Sequence, residues 1–490
     1  MTEILPLLTV AWAALPFFVG FSIYLLPELD RFLASGVVLT SIAFAGLSFL
    51  LPSPEPFQLL DSFGVTLLVD SLGAFFIITN ALVTLAVLLY CWNSTKTAFF
   101  YTQVILLHGA VNAAFLCVDF ISLYVALEVL SIASFLLVTY SRSPRTIWVG
   151  LRYLFVSNTA MLFYLVGVAL VYEANHSFRF EGLAQAPPEA IALIFLGLLA
   201  KGGVFVSGLW LPQTHAEADS PVSAMLSGVV IKTALLALVR CALLVPAVDP
   251  ILRLAGVATA LLGVGYGIFE RDTKRTLALS TVSQMGFVLA VPAAAGLYAL
   301  SHGLAKATLF LSVGSLPSRE FATLNQKPIA RSLWILVAIG ALSISGMPLL
   351  VGFGAKALVS KSFLPWQAIA LNTAAVGTAI LLAKFLFLPH SNTVTAPEKI
   401  QTLAPPMVVL IGGLILANGV YLEAYSLDSM LKAIATIAAG WLIYWVAIRR
   451  VSLTLPRLFE HLEHLVGAMS LSAIALLLLL LFAIPAGGLG

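Results

Sequence analysis

Runs of mostly apolar residues recur along this chain, each long enough to cross a hydrocarbon layer of about 30 Å as a helix of about 20 residues. Inside such a layer no water can bond the peptide groups, so a segment that spans it must be helical or part of a closed barrel. Sixteen apolar segments can be counted in the 490 residues, beginning near Ile4, Phe32, Leu72, Phe99, Phe120, Leu151, Ala190, Pro221, Ile251, Thr276, Leu297, Ser332, Trp366, Ala404, Met430 and Leu465. Composition agrees, with 61% hydrophobic and only 10% charged residues, against about 25% charged in soluble domains. The expectation is an all-α polytopic membrane protein. The stretch from Ile4 to Leu26 has no basic leader and is too long for a signal-peptide core, so it reads as the first span.

Several function classes fall away at once. Twenty-five Lys and Arg against twenty-two Asp and Glu leave +3, too slight a balance for a nucleic-acid surface. Cys91, Cys117 and Cys241 stand far apart in apolar sequence, which gives no metal or iron–sulfur ligand set. Gly263, Gly265 and Gly267 lie inside an apolar stretch rather than at a strand-to-helix turn, so no nucleotide fingerprint is present. Short loops leave no soluble catalytic domain. No cofactor, no metal and no enzyme chemistry of the chain's own are expected, and the function must lie within the membrane.

Loop charge predicts orientation. Loops after odd-numbered segments hold Arg31, Lys96, Arg142, Arg145, Arg152, Arg271, Lys274, Arg275, Arg319, Lys327, Arg331, Lys399, Arg449, Arg450 and Arg457, fifteen in all. Even-numbered loops hold five, Arg179, Arg240, Arg253, Lys361 and Lys432. The positive-inside rule then puts odd loops in the cytoplasm and both termini outside. An error of one helix in the count would move the C-terminus, but the clusters Ser141–Arg145 and Glu270–Arg275 would still share a side.

A charge at mid-bilayer costs about 2.5–3.5 kcal/mol even on the insertion scale, so retained intramembrane charges need an explanation. Glu128, Lys201 and Lys232 each sit mid-span with apolar residues on both sides. Lys306 follows His302 by four residues, hence on one helix face, and Lys356 and Lys384 occupy the twelfth and thirteenth segments. Structural ion pairs or snorkelling to the interface are the bland reading. It suits Lys384, near a helix end, and fails for Lys201 and Lys232, which are too deep to reach water. Amines in apolar surroundings release protons more readily and a nearby carboxylate reverses this, so a file of lysines with one acid can pass protons. His302 can relay between them, one ring nitrogen accepting while the other donates.

Two of the lysine-bearing spans are interrupted. Lys201-Gly202-Gly203 precedes Leu211-Pro212, while Gly346-Met347-Pro348 and Gly352-Phe353-Gly354 precede Lys356. Broken helices at matching places in two halves are the sequence pointer to inverted repeats in a transporter. The units expected are residues 1–98 (helices 1–3), 99–245 (helices 4–8), 246–390 (helices 9–13) and 391–490 (helices 14–16).

Three runs carry a family resemblance. Trp210-Leu211-Pro212-Gln213-Thr214-His215-Ala216-Glu217-Ala218-Asp219-Ser220-Pro221-Val222-Ser223-Ala224, continuing to Lys232-Thr233, is the most specific. Arg271-Asp272-Thr273-Lys274-Arg275 through Gln284-Met285-Gly286, and His302-Gly303-Leu304-Ala305-Lys306, are the others. Over about residues 65–390 the chain resembles the antiporter-like subunits shared by Mrp-type cation/proton antiporters, complex I and membrane-bound hydrogenases. The resemblance implies a fourteen-helix core with two inverted five-helix repeats, broken at the seventh and twelfth helices. It implies Glu128 and Lys201 as an interacting pair, Lys232 as central proton carrier, His302 and Lys306 as the link between half-channels, and Lys356 toward the exit. Lys384 is outside the family's motif. Lysine rather than glutamate at position 356, with two further segments around Pro456–Leu462, is more similar to the D-type Mrp subunit than to the shortest complex I pattern.

The expected function is proton translocation within a hetero-oligomeric membrane complex, coupled to sodium or other monovalent cation exchange, with other hydrophobic subunits as partners. The alternative is a proton-pumping subunit of a complex I-type quinone oxidoreductase. A scaffold with vestigial charges and a standalone solute transporter are the rivals from other classes. The cell membrane is the default location, although a thylakoid or mitochondrial inner membrane satisfies the same physics.

Overall fold

The segments richest in polar residues occupy the centre of the bundle and the most apolar ones its periphery, as a lipid surround requires. A computed structural model describes residues 4–51, 55–60, 64–394, 400–451, 453, 455–457 and 461–483, and they are predominantly helical. Each expected segment has a helical counterpart. The first six are α1 (Ile4–Leu25), α2 (Asp30–Phe49), α3 (Ser71–Cys91), α4 (Ala98–Leu116), α5 (Phe120–Val138) and α6 (Pro144–Asn175). The seventh is broken into α7a (Pro188–Lys201) and α7b (Leu211–Glu217). Then come α8 (Ser220–Leu244), α9 (Asp249–Phe269), α10 (Thr273–Ala290) and α11 (Ala295–Val313). The twelfth is broken into α12a (Arg331–Ser345) and α12b (Val351–Lys361), followed by α13 (Pro365–Leu386), α14 (Ile400–Leu416), α15 (Leu427–Val446) and α16 (Leu462–Ala483). A short antiparallel hairpin, β1 (Phe57–Leu60) with β2 (Gly64–Leu67), precedes α3.

Among the described residues twelve helices are long and apolar enough to cross a membrane, and two more spans arise from bent pairs, the seventh helix (41°) and α10 with α11 (111°). The chain is thus an integral, multi-pass membrane protein. Sixteen continuous spans do not result, for a physical reason. Every residue of α10 and α11 is buried by neighbouring helices, so α10 can open on Thr273-Lys274-Arg275 without meeting lipid. Their composition is that of a protein interior, and α12a is short because its span is interrupted.

Two sequence assignments are corrected. α6 begins at Pro144 rather than near Leu151, because the Ser143 hydroxyl accepts from Thr146 N at 3.1 Å and Pro144 suits the first helical position. Arg152 therefore lies inside α6 and not in a loop, and Arg240 lies inside α8, paired with Asp70 at 2.9 Å. Arg152 and Arg240 leave the tally one from each side, so the sign of the charge bias is unaffected. Lys399 and Leu458, Phe459 and Glu460 lie outside the described residues. The two basic clusters do share a side: Arg145 pairs with Glu217 at 3.2 Å, Arg319 reaches Glu217 at 3.8 Å, and Arg319 pairs with Asp272 at 2.8 Å.

Beyond the core, α15 packs on α13 whereas α16 packs on α6 and α7a, so the intervening chain crosses from one half of the bundle to the other. Glu270 ties it down. Its carboxylate accepts from Arg275 Nε at 2.9 Å and from Arg457 Nη2 at 3.1 Å. Burial pushes this carboxyl's pKa up, but Arg275, its hydrogen bonds and Arg457 outweigh burial and hold it below the usual carboxylate range. A depressed carboxyl stabilises the folded arrangement above its ordinary pKa and loses that contribution as pH falls through the folded value. The attachment of α16 is therefore expected to loosen in acid, and Glu270→Gln should reproduce this at neutral pH. Faster tryptic cleavage after Arg457 in Glu270→Gln than in the parent is the expected result, and equal rates would refute the tether.

Candidate functional site

Both helix breaks contain a glycine with positive φ, as the cap of the half-helix in the twelfth span and one residue past the cap in the seventh. In the twelfth span α12a stops at Ser345, and Gly346 caps it at φ 89°. A Cβ there would be strained by the backbone and would lie 2.9 Å from Lys356 Cδ, so glycine serves the turn and the lysine together. The last carbonyls of a half-helix have no internal donor. Lys356 Nζ turns back from α12b and donates to Ser345 O at 3.3 Å. In the seventh span Gly203 and Phe205 take positive φ values of 71° and 52°, and the Phe205 N–H donates to Thr259 Oγ1 at 3.0 Å.

Lys201, the last residue of α7a, is buried among neutral groups. Its Nζ donates to Ser157 Oγ of α6 at 2.5 Å and to Ser131 Oγ of α5. Glu128 stands one turn before Ser131 on α5 but makes no ion pair with Lys201 among the described residues, and its Oε1 has no hydrogen-bond partner. It is half-buried, flanked by the outward-facing Val125 and Ile132. Lys201 bonds Ser131, one turn further along α5 than Glu128, and no hydrogen bond joins Glu128 to either among the described residues.

At the centre, α8 contains a π-helical turn, Leu226–Val230, which shifts the backbone bonding just before Lys232. Lys232 Nζ donates to the Ser227 carbonyl at 3.2 Å and to the Gly228 carbonyl. His302 Nδ1 of α11 lies 3.1 Å from the same Nζ. This approach depends on Gly303, where a Cβ would sit 2.9 Å from Gly228 O and press on Thr79. Below this junction Ser227 Oγ meets Thr281 Oγ1 at 2.7 Å, and Thr281 donates to Leu277 O at 3.0 Å. Lys306 donates to that same Leu277 carbonyl at 2.7 Å and to Ser280 Oγ.

The structure thus brings Lys232, His302 and Lys306 into one connected cluster. A further link leads outward: His302, Gln284, Tyr298, Ser301, Ser343 and Lys356 line a cavity of about 10 Å³, the size threshold for a single water. The Nε2 of His302 has no hydrogen-bond partner among the described residues. Lys201 with its two serines forms a separate cluster. Lys384 has a structural post, donating to the carbonyls of Gly267 (2.9 Å), Ile268 (3.3 Å) and Glu270 (2.8 Å) at the end of α9.

Sequence reasoning does not find the acceptors, namely Ser131, Ser157, Ser280, Thr281 and the carbonyls released by the π turn. Small hydroxyls in apolar helices are commonplace, and only tertiary placement opposite a lysine distinguishes these. It also passes over His215, which enters only within the signature run: a buried histidine of α7b with neither ring nitrogen hydrogen-bonded among the described residues and its ring 6.0 Å from that of Phe310.

Two broken helices, a π turn and buried amines held by neutral acceptors are features shared with membrane proteins that move ions. The comparisons agree: residues 117–382 match the family described as NADH:quinone oxidoreductase/Mrp antiporter, transmembrane region, and the chain belongs to it. It is 30% identical to the D-type subunit of the Na(+)/H(+) antiporter of Alkalihalophilus pseudofirmus, over 62% of this chain and 68% of that one. It is 29% identical to the N-type subunit of the NADH-quinone oxidoreductase of Desulforudis audaxviator, over 79% and 86%. Among solved structures, a chain of the Mrp complex from Dietzia sp. DQ12-45-1b shares the fold with a TM-score of 0.72 at 20% identity, covering 94% of this chain and 100% of that one.

The close crossing at Gly303 is testable. Gly303→Ala should destabilise by about 1–3 kcal/mol, the usual penalty for overpacking, and slow proton transport by separating Lys232 from His302. Gly36→Ala, where a Cβ meets nothing within 4 Å, should do neither. Thermal unfolding and vesicle transport assays on both variants check it.

Proposed function

We propose that the chain is the proton-translocating subunit of a multisubunit membrane complex, an Mrp-type monovalent cation/proton antiporter, located in the cell membrane. One observation carries the proposal: among the described residues the amines of Lys201, Lys232, Lys306 and Lys356 bond hydroxyls and carbonyls and no carboxylate, and Lys232 Nζ lies 3.1 Å from His302 Nδ1. A protonated amine offers three N–H donors, matching Ser227 O, Gly228 O and His302 Nδ1. A neutral amine keeps two on the carbonyls and accepts from a protonated Nδ1 instead. Both states satisfy the Lys232 amine and the Nδ1 of His302, so the proton can arrive and leave without stranding either of them.

In this reading residues 99–245 and 246–390 are the two half-channels, joined at Lys232, His302 and Lys306, with Glu128 and Lys201 at one end and Lys356 at the other. The recurrence of one device supports the division. Asp119 and Asp272 each N-cap the second helix of their unit and bridge to the segment after the third, at Arg179 and Glu320. Sodium as the exchanged cation follows the similarity to the Na(+)/H(+) antiporter. The similarity to a quinone oxidoreductase component over a larger share of the chain supports the second reading, a pump driven by electron transfer in partner chains. Mass spectrometry of the complex purified in mild detergent separates them, since iron–sulfur and quinone-site partners would establish the second.

Lys232→Ala is expected to abolish proton transport while the complex assembles normally. Lys232→Arg should fail as well, because a guanidinium keeps its proton. Transport surviving in Lys232→Ala would sink the proposal, and survival in Lys232→Arg alone would reduce the role of Lys232 to fixed charge.

A further inference from the structure

A cavity of about 560 Å³ lies at the far side of Lys356 and is walled by α12b, α13 and α15. Lys356 is at its inner end and Lys361 near its mouth, five residues apart, or about 7.5 Å along a helix. By the charge bias its mouth, formed by the ends of α12b, α13 and α15, faces the predicted outer side.

The third wall is the informative one. α15 is a peripheral helix, and Leu431, Ile434 and Leu442 on it are 58%, 50% and 65% exposed, as a lipid-facing side requires. Ser429, Lys432, Ala433 and Thr436 are spaced i, i+3, i+4 and i+7, one stripe of the same helix, and all four line the cavity. A polar stripe opposite a lipid face is stable only against water or polar protein. Across from it stand Ser360 of α12b and Asn372 of α13. The charges facing the space are Lys356, Lys361, Lys432 and Asp428, the last two joined at 2.6 Å in an exposed pair, which holds them weakly.

We propose that this cavity is the aqueous outer vestibule of the second half-channel, delivering water and its proton to Lys356, and that α15, which lies outside the fourteen-helix core, is a wall of the conducting route. The inference rests on the proposed proton translocation. It adds a function for the C-terminal extension, which would otherwise only cover the core.

Single cysteines test it in the intact complex in sided membrane vesicles, where Cys91, Cys117 and Cys241 are buried and give little background. Asn372→Cys, Ser360→Cys and Thr436→Cys are expected to react with a membrane-impermeant thiol reagent from the outer side only, and their modification to stop proton transport. Leu442→Cys, on the lipid face of α15, should not react. Absence of labelling at all three positions in assembled complex would overturn the proposal, as would labelling by a lipid-soluble reagent alone or complete labelling with transport unchanged. Failure here is separable from failure of the functional reading: loss of transport in Lys232→Ala with an unlabelled vestibule overturns only the vestibule.

Discussion

An amine placed below lipid has to find every hydrogen bond within the protein, and where no carboxylate is offered the acceptors must be neutral. A regular helix has little to spare on its backbone, since each carbonyl already accepts from the N–H four residues on and keeps only its second lone pair. The irregularities of this bundle are where carbonyls come free. The π turn in α8 exposes those of Ser227 and Gly228 to Lys232, and the stop of α12a at Ser345 exposes one to Lys356. For Lys232 and Lys356 the irregularity and the buried lysine are therefore one feature, the first creating the acceptor that the second occupies, whereas Lys201 relies on hydroxyls and Lys306 on a hydroxyl and the second lone pair of a helical carbonyl.

The same constraint explains the layering. α10 and α11 carry Lys274, Arg275, Gln284, His302 and Lys306, and both are wholly enclosed. Enclosure lets them be polar, and close crossings let polar groups on different helices meet. The contact between Lys232 and His302 exists because Gly303 and Gly228 allow α11 and α8 to approach to backbone contact. A methyl group at that crossing would press on Thr79 and the Gly228 carbonyl and come within 3.7 Å of Lys232 Nζ, forcing the two helices apart.

Much of this is legible in the sequence. Sixteen helical segments, the breaks after Lys201 and before Lys356, and the lysines themselves follow from apolar run length, from Gly and Pro, and from charges where charge is expensive. Segment starts are less secure where capping governs, as at Ser143, and hydropathy misjudges α10 because an enclosed helix need not be apolar. The resemblance implies an interacting pair of Glu128 and Lys201, and what the sequence does not show is that the Lys201 amine is held by the hydroxyls of Ser131 and Ser157. Spacing along a chain records which residues share a helix face. It does not record which hydroxyl on a neighbouring helix will fill the gap.

Lys384 and Lys356 show what separates a structural amine from one able to carry protons. Both donate to carbonyls at the end of a half-helix or helix, and both stand in apolar sequence. Lys384 has four acceptors, the carbonyls of Gly267, Ile268 and Glu270 and the Thr276 hydroxyl, for its three N–H groups. Each of its protons is held, and removing one would leave a buried carbonyl unpaired. Lys356 makes one such bond and lines cavities on both its sides, toward His302 and toward the outer mouth. Its remaining donors have no fixed partner among the described residues, so losing a proton strands nothing. Proton transfer needs either a bond the lysine leaves open or, as at Lys232, a partner that can donate in return; Lys384 has neither and fastens the end of α9, while Lys356 meets the first condition of the proposed route.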